Sequence, residues 1–90
     1  MAESKVQKDI IKYLKKRGYY VVKTVRSNMS GVPDLIVCDN FGCFYGIEVK
    51  DVGKKNTATK LQLHNIEEIN KAGGVAFVAD CVQDVIDRGL

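Results

Sequence analysis

The chain has 90 residues, of which 46% are hydrophobic and 28% are charged, and its formal net charge is +3. This composition is that of a globular protein and excludes a disordered chain, and the length predicts a single domain over residues 1–90. The mild basic excess is compatible with a polyanionic partner but is not specific for one.

The three cysteines, Cys38, Cys43 and Cys81, have no metal-binding spacing, and the sequence contains no signal peptide and no apolar run of transmembrane length. We therefore expect a cytoplasmic protein with reduced thiols, without membrane contact and without a nucleotide cofactor.

The first predicted element is an amphipathic helix over residues 2–17, which ends at Gly18. Its inward positions at helical spacing are Val6, Ile10, Tyr13 and Leu14. Glu3 shares this face, so its side chain either reaches a site beyond the helix or simply favours the positive helix N-terminus. The lysines of another face are Lys5, Lys8, Lys12 and Lys15 or Lys16. The sequence leaves open whether these lysines bind phosphates or form a solvated face.

Residues 19–25 predict the first strand, and a polar loop leads from it to Asp34. Because this loop ends beside a candidate site, we expect Arg26 to contact nucleic-acid phosphates. Ser27 and Asn28 are explained equally well by ordinary loop chemistry.

Two apolar strands, residues 34–38 and about 43–50, are separated by turn residues and predict a β-hairpin. Directly opposed residues of an antiparallel pair share one face of the sheet. A loop of three or five residues centred on Phe41 places Asp34 opposite Glu48, whereas a two-residue turn sends the two carboxylates to different faces. We expect the odd-length loop.

In this register, the Cβ atoms of Asp34 and Glu48 lie about 4.5–5.5 Å apart, with Lys50 on the same face. Two carboxylates ~4 Å apart repel by about 4 kcal/mol at an effective dielectric of 20, so the site needs a cation or a proton. Oxygen ligands from Asp34, Glu48 and the main-chain carbonyl of Val49 suit Mg²⁺ or Mn²⁺. The alternative is that Asp34 is a turn residue and that Glu48 and Lys50 are solvated.

A basic loop over residues 51–57 follows, and it enters a helix capped near Asn56 or Thr57. We expect Lys54 and Lys55 to hold a nucleic-acid backbone near the metal, with an ordinary solvated connection as the alternative.

The helix over residues 58–72 is expected to bury four residues, namely Ala58, Leu61, Ile66 and Ile69. Gln62 lies near this inward stripe, where an amide needs a partner, so it either positions water at the site or is a satisfied boundary residue. His64, near the polar face, is expected to be solvated.

Gly73 and Gly74 end this helix. An apolar strand over residues 75–79 follows, and a last helix over residues 82–88 is expected to bury Val82, Val85 and Ile86. The order α-β-β-β-α-β-α predicts an α/β (α+β) fold, with a mixed central sheet flanked by helices and a right-handed crossover to the last strand.

The segments Gly31-Val-Pro-Asp34 and Ile47-Glu48-Val-Lys50, with thirteen residues between Asp34 and Glu48, resemble the PD-(D/E)xK nuclease signature. The resemblance is more specifically to the VRR-NUC (virus-type replication-repair nuclease) family, whose short stand-alone members are typical of phages. It covers nearly the whole chain and implies a restriction-endonuclease-like core.

By this resemblance, Asp34, Glu48 and the Val49 carbonyl bind the metal. Lys50 positions or deprotonates the attacking water, and Glu3 and Gln62 support the site. Because two carboxylates favour a charged lysine, we expect Lys50 to orient water or stabilise negative charge instead of acting as a base.

We therefore predict a Mg²⁺- or Mn²⁺-dependent DNA endonuclease that hydrolyses phosphodiester bonds of branched DNA, such as a Holliday junction or a flap, in replication, repair or recombination. A homodimer is expected, because a two-fold dimer presents two sites to a two-fold substrate. Two alternatives remain: a DNA-binding module on a nuclease fold that is inactive without a partner, and an RNA nuclease of the same chemistry.

Overall fold

The computed structural model describes residues 4–90, so Glu3 lies outside the described residues. Its helices and strands, in chain order, are α1 Lys5–Lys16, β1 Tyr20–Lys23, β2 Leu35–Cys38, β3 Phe44–Val49, α2 Lys60–Lys71, β4 Val75–Ala79 and α3 Val82–Asp87. A 3-10 turn, Lys55–Thr57, precedes α2. The predicted order of helices and strands is thus confirmed. No helix within residues 4–90 is long and apolar enough to cross a membrane.

The four strands form one mixed sheet in the order β1-β2-β3-β4. The first three strands are antiparallel, and β4 is parallel to β3. In the hairpin Leu35 pairs with Ile47 and Cys38 with Phe44, which leaves a five-residue loop. The side chain of Asp39 stabilises this loop by accepting hydrogen bonds from backbone N–H groups within it. The predicted odd-length loop and its register are therefore confirmed.

Each face of the sheet packs against different helices. Leu35, Val37 and Ile47 are fully buried against Ile10 of α1 and Val85 of α3, and this is the main core. The residues that alternate with these along each strand point to the other face of the sheet, where α2 packs on β3 and β4. At Gly46 a Cβ atom would lie only 3.0 Å from Cδ1 of Ile69, so the absence of a side chain allows α2 to approach the sheet. Glu48, two residues further along β3, lies on this α2 face.

The N-terminus of α2 corrects the expected cap near Asn56 or Thr57. The N-cap is Thr59: its hydroxyl accepts a hydrogen bond from the Gln62 N–H, while the Gln62 side chain accepts one from the Thr59 N–H. This reciprocal capping box satisfies two backbone donors of the first turn, which neither earlier residue does.

Two expected core residues are instead partly exposed: Leu61 by 46% and Ile86 by 41%. The buried residue of α2 is Asn65, whose Nδ2 donates to the carbonyl oxygens of Ser30 and Leu61. The loop before β2 packs on this part of α2, and its backbone carbonyl needs a polar partner there.

Candidate metal centre

The register of the hairpin brings Asp34 and Glu48 to one end of the sheet. Asp34 directly precedes β2 and follows the buried Pro33, and the N–H of Thr24 donates to the Asp34 carbonyl at 2.8 Å. The Oδ2 atom of Asp34 accepts a hydrogen bond of 2.9 Å from the Val49 N–H. The backbone is therefore fixed on both sides of the Asp34 side chain, and its carboxylate is directed towards β3.

Glu48 is a buried acid, only 3% exposed. Its Oε2 atom accepts a hydrogen bond from Nε2 of Gln62 at 3.2 Å and lies 3.8 Å from Nζ of Lys50. Its Oε1 atom is buried and has no hydrogen-bond partner within residues 4–90. Burial raises the pKa of Glu48 to about 8, together with the hydrogen bond that only the protonated acid can make to Asp34 and the repulsion between the two carboxylates, although Lys50 opposes this rise.

These features fit a divalent cation. A buried carboxylate oxygen without a donor, beside a second carboxylate, is a position where positive charge would relieve both the repulsion and the missing interaction. The N–H and C=O of one residue in an extended strand point to the same side, so the Val49 carbonyl is also directed towards Asp34. Such oxygen ligands are those that Mg²⁺ and Mn²⁺ prefer.

The Gln62 side chain joins α2 to this pair of strands. Its Oε1 atom accepts hydrogen bonds from Nζ of Lys50 at 3.1 Å and from the Thr59 N–H at 2.9 Å, and its Nε2 donates to Glu48. One amide therefore holds Glu48 and Lys50 in fixed positions relative to each other, and the capping box fixes the amide itself.

The residues expected to contact nucleic acid differ in their exposure and pairing. Arg26 is exposed and lines an open cleft of about 170 Å³ that also borders Asp34. Lys54 is exposed in the loop after β3. Lys55, in contrast, pairs through Nζ with Asp84 at 3.0 Å and with Asp80 at 4.0 Å, so its charge is already engaged. His64 is exposed, as expected.

A cluster that was not predicted from the sequence lies at the start of α3. One oxygen each of Asp80 and Asp84 and the sulfur of Cys81 lie within 4.8 Å of one another. Asp80 accepts a hydrogen bond from the Gly53 N–H, and Asp84 accepts one from the Asp80 N–H. Burial opposes ionisation of Asp84, but the hydrogen bond from the Asp80 N–H and hydrogen bonds with the side chains of Lys55, Asp80 and Cys81 lower its pKa to about 2.

The cluster therefore fixes the loop over residues 51–57 to α3. Hydrogen bonds and ion pairs within the protein already satisfy its two acids. A signal was present in the sequence, because an acid in the first turn of a helix commonly accepts hydrogen bonds from backbone N–H groups at the helix start. Asp84 lies three residues after Cys81, the N-cap of α3, and accepts from the N–H of Asp80, one residue before that cap.

A mixed sheet with Asp34, Glu48 and Lys50 at its end is the arrangement that characterises PD-(D/E)xK nucleases. The family model described as "Archaeal holliday junction resolvase (hjc)" matches residues 3–85. A solved structure titled "VRR_NUC domain" is 31% identical, covers 91% of this chain and 87% of that chain, and gives a TM-score of 0.77. No curated protein matches significantly.

The chain belongs to the archaeal Holliday junction resolvase (Hjc) family and has the fold of a VRR-NUC domain. The resemblance inferred from the two motif segments is thus confirmed, as is the restriction-endonuclease-like fold.

Proposed function

We propose that the protein is a metal-dependent endonuclease that hydrolyses phosphodiester bonds in branched DNA. The observation that carries this proposal is the buried Oε1 atom of Glu48, which has no hydrogen-bond partner within residues 4–90 and lies beside Asp34. The family name supports the substrate, since its members are described as Holliday junction resolvases.

Asp34, Glu48 and the Val49 carbonyl would hold Mg²⁺ or Mn²⁺. A bound ion of this kind polarises the phosphate and lowers the pKa of water at the site. When no cation is bound, the negative charge of Asp34 disfavours a phosphate beside it. Substrate phosphate is therefore expected to bind productively only to the metal-loaded protein.

Lys50 supplies a positively charged side chain beside the two acids. Its side chain is 19% exposed, enough to reach solvent at the site, and Gln62 holds its ammonium group near Glu48. In this position Lys50 orients a water molecule or stabilises the negative charge that develops on the phosphate. Arg26, in the cleft that borders Asp34, and Lys54, exposed in the loop after β3, contact substrate phosphates. Lys55 orders its loop through Asp84 instead of contacting DNA directly.

The test is cleavage of labelled linear, flapped and four-way-junction DNA of matched length, with and without Mg²⁺ or Mn²⁺. We expect metal-dependent cutting and a preference for a branched substrate. Binding without cutting on all three DNA substrates would favour the partner-dependent binding module. With a labelled RNA as a fourth substrate, cutting of RNA alone would favour a ribonuclease.

Gln62→Leu is expected to lower the cleavage rate by roughly 10- to 100-fold, as is typical when a group that orients a metal-site residue is lost. Gln62 also forms part of the helix cap, so a stability effect must be separated. Thr59→Ala is the matched control: it removes the cap hydroxyl, at a cost of about 1 kcal/mol in the free energy of unfolding, but leaves the contacts with Glu48 and Lys50. Single-turnover rates and urea unfolding are measured for both. Equal rate losses would show that the cap, not the amide, matters.

A homodimer is proposed because part of the sheet is uncovered. On the α2 side, α2 packs on β3 and β4, while Tyr20 and Val22 of β1 are 69% and 38% exposed. Phe44 at the start of β3 is also partly exposed on this side. An apolar surface of this kind on a small domain favours association with a second copy.

Tyr20→Glu/Val22→Glu is therefore expected to raise the dimer dissociation constant by at least about 100-fold, because two buried carboxylates would lack partners in the interface. Ile86→Glu, on the opposite side of the sheet, is the control and is expected to remain dimeric. Light scattering with size exclusion measures the mass. A monomeric wild type at high concentration, or a dimeric double variant, would refute this interface.

A further inference from the structure

Positive charge is concentrated in one helix. The segment from Ser4 to Arg17 contains six of the 14 Lys and Arg residues of the chain but only one of its 11 acids, Asp9. This segment therefore carries a net charge of +5, and the remainder of the chain carries −2, since the total is +3. The whole basic excess of the protein lies on α1 and its C-cap.

The lysines of α1 share its outermost face. At about 100° per residue, Lys5, Lys8, Lys12, Lys15 and Lys16 fall within an arc of about 100°, directly opposite the fully buried Ile10 and Leu14. We call these five residues the basic face of α1. All five are exposed, and the ion pairs of α1 within residues 4–90 comprise only Lys5 with Asp9, at 2.8 Å. The other four form a stripe about 12 Å long.

The basic face is separate from the candidate metal centre. It lies on the outside of the layer formed by α1, which packs on the Leu35 and Val37 face of the sheet. Glu48 projects from the opposite face, towards Gln62 of α2. A phosphate bound by Lys12 is thus separated from a phosphate at Glu48 by the helix and the sheet, and the two belong to different parts of the substrate.

We propose that the basic face of α1 is a second DNA-binding site, which holds the sugar–phosphate backbone of a duplex arm other than the arm that is cut. This inference rests on the proposed function. Lysine ammonium groups bind phosphates as point charges and do not read bases, so binding here is independent of sequence. An acidic membrane is a poorer partner, because the apolar face of α1 is buried in the core and cannot insert into lipid.

The test compares Lys12→Gln with Lys71→Gln, each of which removes one positive charge from an exposed helical lysine. Lys71 is on α2 and is already paired with Glu67. Binding to a four-way junction and to a linear duplex of the same total length is measured in EDTA, so that no cleavage occurs, over a range of salt concentrations. The triple variant Lys8→Gln/Lys12→Gln/Lys15→Gln extends the series.

We expect Lys12→Gln to weaken junction binding about fivefold and to reduce the slope of log affinity against log salt by about 0.9, and the triple variant to reduce the slope by about 2.7. Lys71→Gln and the linear duplex are expected to change much less. Equal losses for Lys12→Gln and Lys71→Gln would overturn the second site, and equal losses on junction and linear DNA would overturn its assignment to a second arm. Absence of junction binding by the wild type in EDTA would also overturn the second site, whereas the proposed function is refuted separately, if the metal-loaded wild type does not cleave DNA.

Discussion

Glu48→Gln is expected to reduce cleavage of branched DNA by at least roughly 10³-fold while the protein remains folded. Glutamine has nearly the same shape and keeps an oxygen that can accept the hydrogen bond from Gln62, so the packing of β3 against α2 is retained. What is lost is the negative charge beside Asp34, which the proposed cation requires. The rate is measured under single-turnover conditions with saturating Mn²⁺, and circular dichroism reports the fold.

Glu68→Gln is the matched control for this substitution. Glu68 is an exposed acid on α2 and has an ion pair only with Lys71 among the described residues. Its amide variant removes the same charge from the protein and is expected to cleave at the wild-type rate. A Glu48→Gln variant that cleaves within about tenfold of the wild type would contradict a catalytic role for Glu48.

The metal-free protein is expected to lose stability as the pH rises from about 5 to 8. Burial and Asp34 raise the pKa of Glu48 from 4.5 to about 8, so the folded state holds a proton that the unfolded state has released in this range. The stability associated with this proton is fully present below the unfolded pKa and is lost as the pH rises through the folded pKa. The total is up to roughly 4–5 kcal/mol, which is enough to lower the melting temperature by more than about 10 °C.

Thermal melts in EDTA across this pH range test the expectation. Glu48→Gln has no proton to lose, so its curve is expected to be nearly flat, and the variant should be more stable than the wild type at pH 8. Mn²⁺ should restore the stability of the wild type at high pH but have little effect on the variant. If the melting temperatures of the two proteins change with pH in the same way, the pKa of Glu48 is not raised by burial.

The arrangement of Asp34, Glu48 and Lys50 could be predicted from the sequence because its geometry depends on local rules. A strand period of two and an odd loop length place Asp34 opposite Glu48, and an interval of two places Lys50 on the same face. These relations involve one hairpin and need no knowledge of the rest of the fold. The position of Gln62 at the carboxylates is less local, and the resemblance to the VRR-NUC family was needed to single it out.

Other features depend on tertiary contacts that the sequence pattern does not encode. Amphipathic periodicity predicts that Leu61 is buried. The buried residue is instead Asn65, because the backbone carbonyl of Ser30 in the neighbouring loop needs a hydrogen-bond donor there. From the sequence alone, Lys55 is expected to be an unpaired basic residue. In the fold, α3 places Oδ1 of Asp84 3.0 Å from Nζ of Lys55. The Thr59 cap could have been found, because Thr59 and Gln62 match a capping box, but other possible caps lie within three residues.

The most direct test of a metal site between Asp34 and Glu48 is calorimetric titration of Mn²⁺ into the wild type, Asp34→Asn and Asp80→Asn. Asp80 belongs to the other group of acids in the described part of the chain, and there the protein itself supplies the hydrogen bonds. We expect Asp34→Asn to abolish Mn²⁺ binding and Asp80→Asn to retain it. Binding that survives Asp34→Asn and disappears in Asp80→Asn would place the metal beside α3 and contradict the site proposed between Asp34 and Glu48.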